Sequence, residues 1–322
     1  MKKGFICFGV LLVIIGVVIV LIFGGTGGFQ SMNVMFKQDI SKVDSCQEFN
    51  LDQQSFKQIK IDTDSYSVYL RNNKNEDNKN SVNLKYIESD SKKVKISWKI
   101  ENEVLFIEES DSFNHFNYVG IFNKNRYNRS FLVIELPMEE NIFNGAIDIE
   151  IMAGKFDSHS IKINGNLDVN VRAGNLELNS IYAENVSLIA DAGTINIDQL
   201  NCKNVDIDSS AGSVIVREAK IDNIFDAELS AGSMTCNIDC DKLIISCSAG
   251  STKFETNANW IELTNDAGSV SGRIKGNEND YNIIIDKDVG SSNISTNNNV
   301  DATKYLKADV SVGSISIKFI GE

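Results

Sequence analysis

Imidazole chemistry in this 322-residue chain rests on two side chains, His115 and His159. A Ser-His-Asp or Cys-His relay needs a histidine held between a nucleophile and an orienting group, and no supporting motif accompanies either one. Carboxylates are abundant, and the register derived below aligns Asp191, Asp266 and Asp288 in one column. Ser210, Ser230 and Ser248 interrupt that column, so it lacks the paired acid and base of a glycosidase. No catalytic residue, enzymatic activity or cofactor is expected. Neither an EF-hand loop nor a glycine-aspartate nonapeptide is present, and Cys236, Cys240 and Cys247 do not follow a zinc spacing, so no metal site is expected.

Three further sets of residues could make contacts. Ser213, Ser233, Ser251, Ser269, Ser291 and Ser314, with Thr194, each follow a glycine and form a hydroxyl ladder. Such a ladder could meet a sugar polymer, but turn chemistry is the plainer reading. Phe113, Phe116, Tyr118, Phe122 and Tyr127 lie among asparagines beside Arg126 and Arg129. Aromatics next to Arg and Asn suit glycan, peptide or membrane-surface contact, and they equally suit a cap over a core. Cys7 lies in an apolar run, while Cys46, Cys202, Cys236, Cys240 and Cys247 follow it, an odd number. Cys202 and Cys240 share a register two repeats apart, about 9.6 Å by strand spacing. A disulfide bridges Cα atoms within about 7 Å, so no disulfide framework is predicted.

The element that must position these residues is a repeat. Gly154, Gly174, Gly193, Gly212, Gly232, Gly250, Gly268, Gly290 and Gly313 follow one another at spacings of 20, 19, 19, 20, 18, 18, 22 and 23. Seven are preceded by Ala and the last two by Val. Seven and five residues before each glycine the chain is apolar, as at Leu167 and Val169, and it is mostly apolar two and four after, as at Leu176 and Leu178. The inward phase reads −7, −5, −3, −1, then +2 and +4, so the alternation slips by one at the glycine. Period two means strand, and a one-residue slip flips faces unless a bend or bulge restores them. Each unit is strand, corner, strand, turn. No unit buries its own face, so the units must stack into an all-β, right-handed, β-helix-like solenoid of nine to ten coils. Asn265 and Lys287 fall at nominally inward −3 positions and strain this register.

Ile59, Ile61, Val68 and Leu70 fit the same frame with Tyr66 in the glycine place, giving a first coil. Before the second coil comes an insertion with alternating Val82-Leu84-Tyr86 and Val94-Ile96-Trp98-Ile100. A turn at Glu101-Asn102 leads into Val104–Ile107, and a last strand runs from Phe131 to Leu136 before Pro137. These hairpins are expected to shield the N-terminal end of the rod, while the edge after Phe319 is left bare.

Lys2 and Lys3 precede an uncharged run from Gly4 to Phe23, long enough to span a bilayer and lacking a small-residue cleavage site. It reads as a single-pass anchor with a cytoplasmic N-terminus and an extracytoplasmic bulk. Net charge is −13, and beyond the lysine pair 29 basic residues face 44 acidic ones. That balance excludes nucleic acid and repels anionic polymers, and it keeps an exposed domain soluble. The organisation expected is an anchor over residues 1–24, a tether over 25–55 and a first coil with cap over 56–145, then repeats over 146–322.

Several stretches, taken in order, resemble a known family. They are Phe56-Lys57-Gln58-Ile59-Lys60-Ile61-Asp62-Thr63-Asp64-Ser65, Val104-Leu105-Phe106-Ile107-Glu108 and Leu132-Val133-Ile134-Glu135-Leu136-Pro137, then repeats such as Ser210-Ala211-Gly212-Ser213-Val214. From Phe56 to Phe319 the chain resembles the bacterial adhesin-like family called domain of unknown function 4097. The resemblance implies a β-solenoid envelope protein, often membrane-anchored, and supplies no catalytic residues. The function expected is a surface binding module for an envelope, glycan or protein ligand. An accessory or sensor role through a membrane partner is second and a carbohydrate-active enzyme third. Neither ligand identity nor oligomeric state follows from the sequence.

Overall fold

The computed structural model describes residues 47–73, 81–86, 94–111, 131–137 and 142–321. The run from Gly4 to Phe23 and the aromatic segment from Phe113 to Tyr127 lie outside them. Among the described residues no helix is long and apolar enough to cross a membrane.

Among the described residues fifteen strands form one sheet. They are β1 (Gln47–Asp52), β2 (Gln58–Thr63), β3 (Ser67–Asn72), β4 (Ser81–Tyr86), β5 (Val94–Glu101), β6 (Val104–Asp111) and β7 (Phe131–Leu136), then β8 (Ala146–Ser158) and β9 (Ile161–Lys162). The repeats supply β10 (Asn166–Tyr182), β11 (Asn185–Asp239), β12 (Lys242–Thr256), β13 (Trp260–Ile274), β14 (Tyr281–Ser292) and β15 (Lys304–Phe319). The long β11 carries three glycine corners without a break in its strand structure.

Parallel pairing is in register from level to level: Leu167 lies between Ile147 and Val186, and Leu176 between Phe156 and Ile195. Within one level Leu167, Val169 and Val171 are buried before the corner, and Leu176 and Leu178 after it. These columns are mainly apolar along the rod, with Ser158, Ser209, Thr252 and Asn265 as buried polar members, so the core is one largely apolar stack between the straight segments.

The corner differs from the sequence reading. Alanine at −1 was expected inward, yet Ala173, Ala192, Ala211 and Ala231 are exposed. The ladder explains why: Val171 pairs Ala190 and Ala173 pairs Ala192, while Arg172 between them is skipped. The extra residue is therefore bulged out at −2, and positions −2 to +1 all turn away from the core. Glycine is needed because φ reaches 151° at Gly193, a region closed to other L-residues. A Cβ at Gly193 would also lie 1.6 Å from the carbonyl oxygen of Gly174.

Both ends depart from sequence order. At the C-terminal end β13 pairs β15, and β15 pairs β14, so the last two levels are exchanged. The spacings of 22 and 23 supply the residues needed to step over a level and return. β14 is thus the outer edge, and it covers β15 from Lys304 to Ile315. The returning segment covers much of that edge: Ile283 N–H donates to Asn297 Oδ1 at 2.8 Å and Ile285 N–H to Thr296 Oγ1 at 2.9 Å. This order also resolves one misfit, since Lys287 sits on the outermost level and is exposed. Asn265 does not escape. It is buried between Cys247 and Val310 with neither amide atom hydrogen-bonded.

At the other end β2 and β3 form the first level, matching β8 at Ile59–Ile147 and Val68–Phe156. The insertion does more than cap. β6 runs parallel to β2 and β7 parallel to β3, so together they build a further level outside the first. Antiparallel β5 then flanks β6, antiparallel β4 flanks β7, and β1 in turn pairs antiparallel with β4. The β5–β6 turn falls at Asn102 and Glu103, both with positive φ, one residue later than read from sequence.

Candidate binding surface

Outward residues fall into two faces, one before the glycine corner and one after it. The face after the corner is built from charge pairs between levels. Arg71 on β3 reaches Asp157 on β8 at 2.5 Å, and Lys155 reaches Asp157 at 2.7 Å and Glu177 at 2.6 Å. Burial pulls against the Lys155 charge, but hydrogen bonds to Asp157 and Glu177 outweigh it and hold the ammonium above its usual range. One level higher Arg217 pairs with Asp198.

These pairs surround an open recess of about 390 Å³ lined by Asp157, His159, Glu177, Asn179, Asn196, Asp198 and Arg217, with Leu178 as apolar floor. Asp198 and Arg217 are followed directly by Gln199 and Glu218, which line a second recess of about 110 Å³. The two recesses therefore adjoin at a second corner of the level, where the ladder pairs Leu178 with Ile197 and Ser180 with Gln199 and skips Asn179 and Asp198. The second contains Tyr182, which is 44% exposed, together with Asn201 and Lys220. Lys162 lies 5.3 Å from the Tyr182 ring centroid. In register Tyr182 sits between Lys162 and the short Asn201.

The face before the corner carries the other exposed aromatic. Trp260 stacks on Tyr305 with ring centroids 4.2 Å apart, and Lys242 sits 5.4 Å from the Trp260 ring. Its indole N–H donates to Glu262. That hydrogen bond, before the neighbouring Lys242, is the main influence holding the Glu262 carboxyl below its usual range. Both Trp260 faces are thus occupied by the chain itself. The same face bears acid beside acid: Asp168 follows Asp148, and Asp226 follows Asp206, one level apart. Burial, then these neighbours, raises the Asp168 and Asp226 carboxyls.

The residues singled out from sequence are dispersed. Asp191, Asp266 and Asp288 are exposed bulge residues on separate levels. The hydroxyl ladder turns outward at the corners, with Ser213 donating to Thr194 at 3.4 Å. Gly154, Gly174, Gly193, Gly212, Gly232, Gly250, Gly268, Gly313 and Gly290 stack in that spatial order. His159 lies at the rim of the larger recess and is exposed. Cys202, Cys236, Cys240 and Cys247 are free and buried, and burial raises the Cys202 and Cys240 thiols to about 12. Phe113, Phe116, Tyr118, Phe122, Arg126 and Tyr127 fall outside the described residues. Tyr182 and the recess charges carried no motif; they emerge only when outward columns are read across levels.

A family model described as Toastrack DUF4097 matches residues 56–321. Among solved structures, a Bacteroides fragilis protein described as a "putative adhesin" is 14% identical, covering 86% of this chain and 98% of its own, with a TM-score of 0.47. A "putative adhesin" from Parabacteroides merdae is 11% identical over 87% of this chain and 96% of its own, at a TM-score of 0.33. No curated protein matches the sequence.

Proposed function

This chain belongs to the Toastrack family, DUF4097, and from that premise we propose that it is a non-enzymatic binding module held at the cell membrane and displayed outside it. The observation that carries the binding reading is the pair of adjoining recesses, about 390 and 110 Å³, on a rigid in-register sheet with an exposed tyrosine beside them. Each carboxylate of the larger recess is held by a cation, so the site offers hydrogen-bond donors and acceptors rather than a free acid and base. The membrane reading rests on the apolar run after Lys2-Lys3.

The test is retention of the full chain, purified from membranes, on immobilised wall, capsular and host-surface fractions. Saturable retention on one polymer fraction is the expected result. Failure on every fraction, combined with stoichiometric co-purification of one membrane protein, would instead favour the accessory role.

A further inference from the structure

We infer that the segment returning from β14 to β15, together with Lys287, is an edge guard: it stops the C-terminal end of the rod from adding a further level, which a second copy of this chain would otherwise supply. The inference concerns the end of the rod and is independent of the recesses.

The guard works by side chains standing in for a strand. An outermost level points the N–H and C=O of every second residue away from the stack. Asn297 meets these groups as a peptide unit would. Its Oδ1 accepts from Ile283 N–H at 2.8 Å, its Nδ2 donates to Tyr281 C=O at 2.9 Å, and its own N–H donates to Ile283 C=O at 3.1 Å. The Thr296 hydroxyl accepts from Ile285 N–H at 2.9 Å and donates to Ile285 C=O at 3.4 Å. Beyond Ile315 the outer strand is β15, because β14 ends at Ser292. There Asn293 takes over, with Oδ1 accepting from Ile317 N–H at 2.8 Å and Nδ2 donating to Ile317 C=O at 2.7 Å. The guard offers no strand in return. Its backbone folds into Asx turns, with Asn299 N–H donating to Asn297 Oδ1 at 3.1 Å and Asp301 N–H to Asn299 Oδ1 at 3.2 Å.

Between the two covered segments the corner from Lys287 to Ser291 is exposed, and among the described residues the returning segment makes no hydrogen bond to it. Charge is the obstacle here. Lys287 stands at an inward −3 position, paired with Val310 on the level below. From Ile151 to Val310 that column carries no other charge. Its one lysine thus sits on the one level of the repeat with no neighbour outside it, where the ammonium reaches solvent. A further level would enclose that ammonium without a partner. A second copy is the level to be excluded because it brings the same edge: two β14 strands about a two-fold axis would run antiparallel, each extending the other's stack.

The experiment is sedimentation velocity of the full chain in detergent over a range of concentrations. The variants are Lys287→Val, the triple Asn293→Ala, Thr296→Ala and Asn297→Ala, and all four changes together. Each chain, parent included, carries Val289→Cys at the exposed corner, with Cys7 and Cys46 replaced by Ser. The expected result is that the fourfold variant self-associates at about tenfold lower concentration than the parent or less, and that mild oxidation links its copies through the introduced thiol. Lys287→Val breaks none of the guard's hydrogen bonds and is expected to shift association the same way by about threefold with an unchanged melting temperature. A folded fourfold variant that associates no more readily than the parent would overturn the inference, as would association without the disulfide. If the alanine changes unfold the chain, Lys287→Val decides, and no shift in its association overturns the inference.

Discussion

At the residue scale the fold turns on a few side chains that have no freedom to vary. Gly193 combines a φ of 151° with a Cβ position 1.6 Å from the Gly174 carbonyl oxygen. Gly193→Ala is therefore expected to cost at least about 3 kcal/mol in urea unfolding, whereas Gly321→Ala, with nothing within 4 Å, should cost far less. Equal, small effects would show that the corner relaxes. Asn265 is the opposite case, a buried amide without a partner. Asn265→Leu removes two unsatisfied polar groups at similar volume and should stabilise the chain by about 1–2 kcal/mol; a loss would reveal a partner for the amide. The thiols of Cys202 and Cys240, raised to about 12 by burial, should resist a thiol reagent at pH 8 until the chain unfolds. The corner glycines were legible in the sequence because period and phase alone define them. Tyr182 was not, because exposure depends on what the neighbouring level places beside it, and a single unit does not contain that information.

At the scale of elements the repeat determines what stacks but not in which order. Identical −7 and −5 positions let any level pair with any other, so sequence adjacency was the natural expectation. It holds from β8 to β13 and fails at both ends. The clues were the longer spacings of 22 and 23 and the inward-phased Lys287, which needed an outermost level. The insertion hid a level in the same way: no Ala-Gly pair stands in the sequence between β6 and β7, so the repeat signature did not mark the unit. Paired cysteines test the exchange. Ser269 and Ser314 lie on adjacent levels, and Ser269 and Ser291 lie two levels apart. Adjacent strands are about 4.8 Å apart and alternate ones about 9.6 Å, so only Ser269→Cys with Ser314→Cys should form a disulfide on mild oxidation. Efficient closure of Ser269→Cys with Ser291→Cys would restore sequence order.

At the scale of the molecule, stacking aligns like charges as faithfully as it aligns apolar side chains. Asp62, Asp168, Asp226 and Glu109 all have carboxyls raised by burial first, with acidic neighbours adding to it. A raised folded-state value means that these groups give their full stabilisation below the ordinary carboxylate range and lose it as pH rises through the folded values. Glu262 opposes this trend, lowered chiefly by its bond from Trp260. With the raised carboxyls in the majority, the melting temperature should fall as pH rises from about 4 through the carboxylate range; a rise over that range would mean that the paired carboxylates dominate. Display outside the cell is the claim on which the binding account stands, and one labelling measurement addresses it directly. Ser269 is an exposed corner residue, while Cys202, Cys236, Cys240 and Cys247 are buried. With Cys7 and Cys46 replaced by Ser, the Ser269→Cys chain should react with a membrane-impermeant maleimide on intact cells. Labelling that appears only after lysis would place the sheet inside the cell and contradict the account.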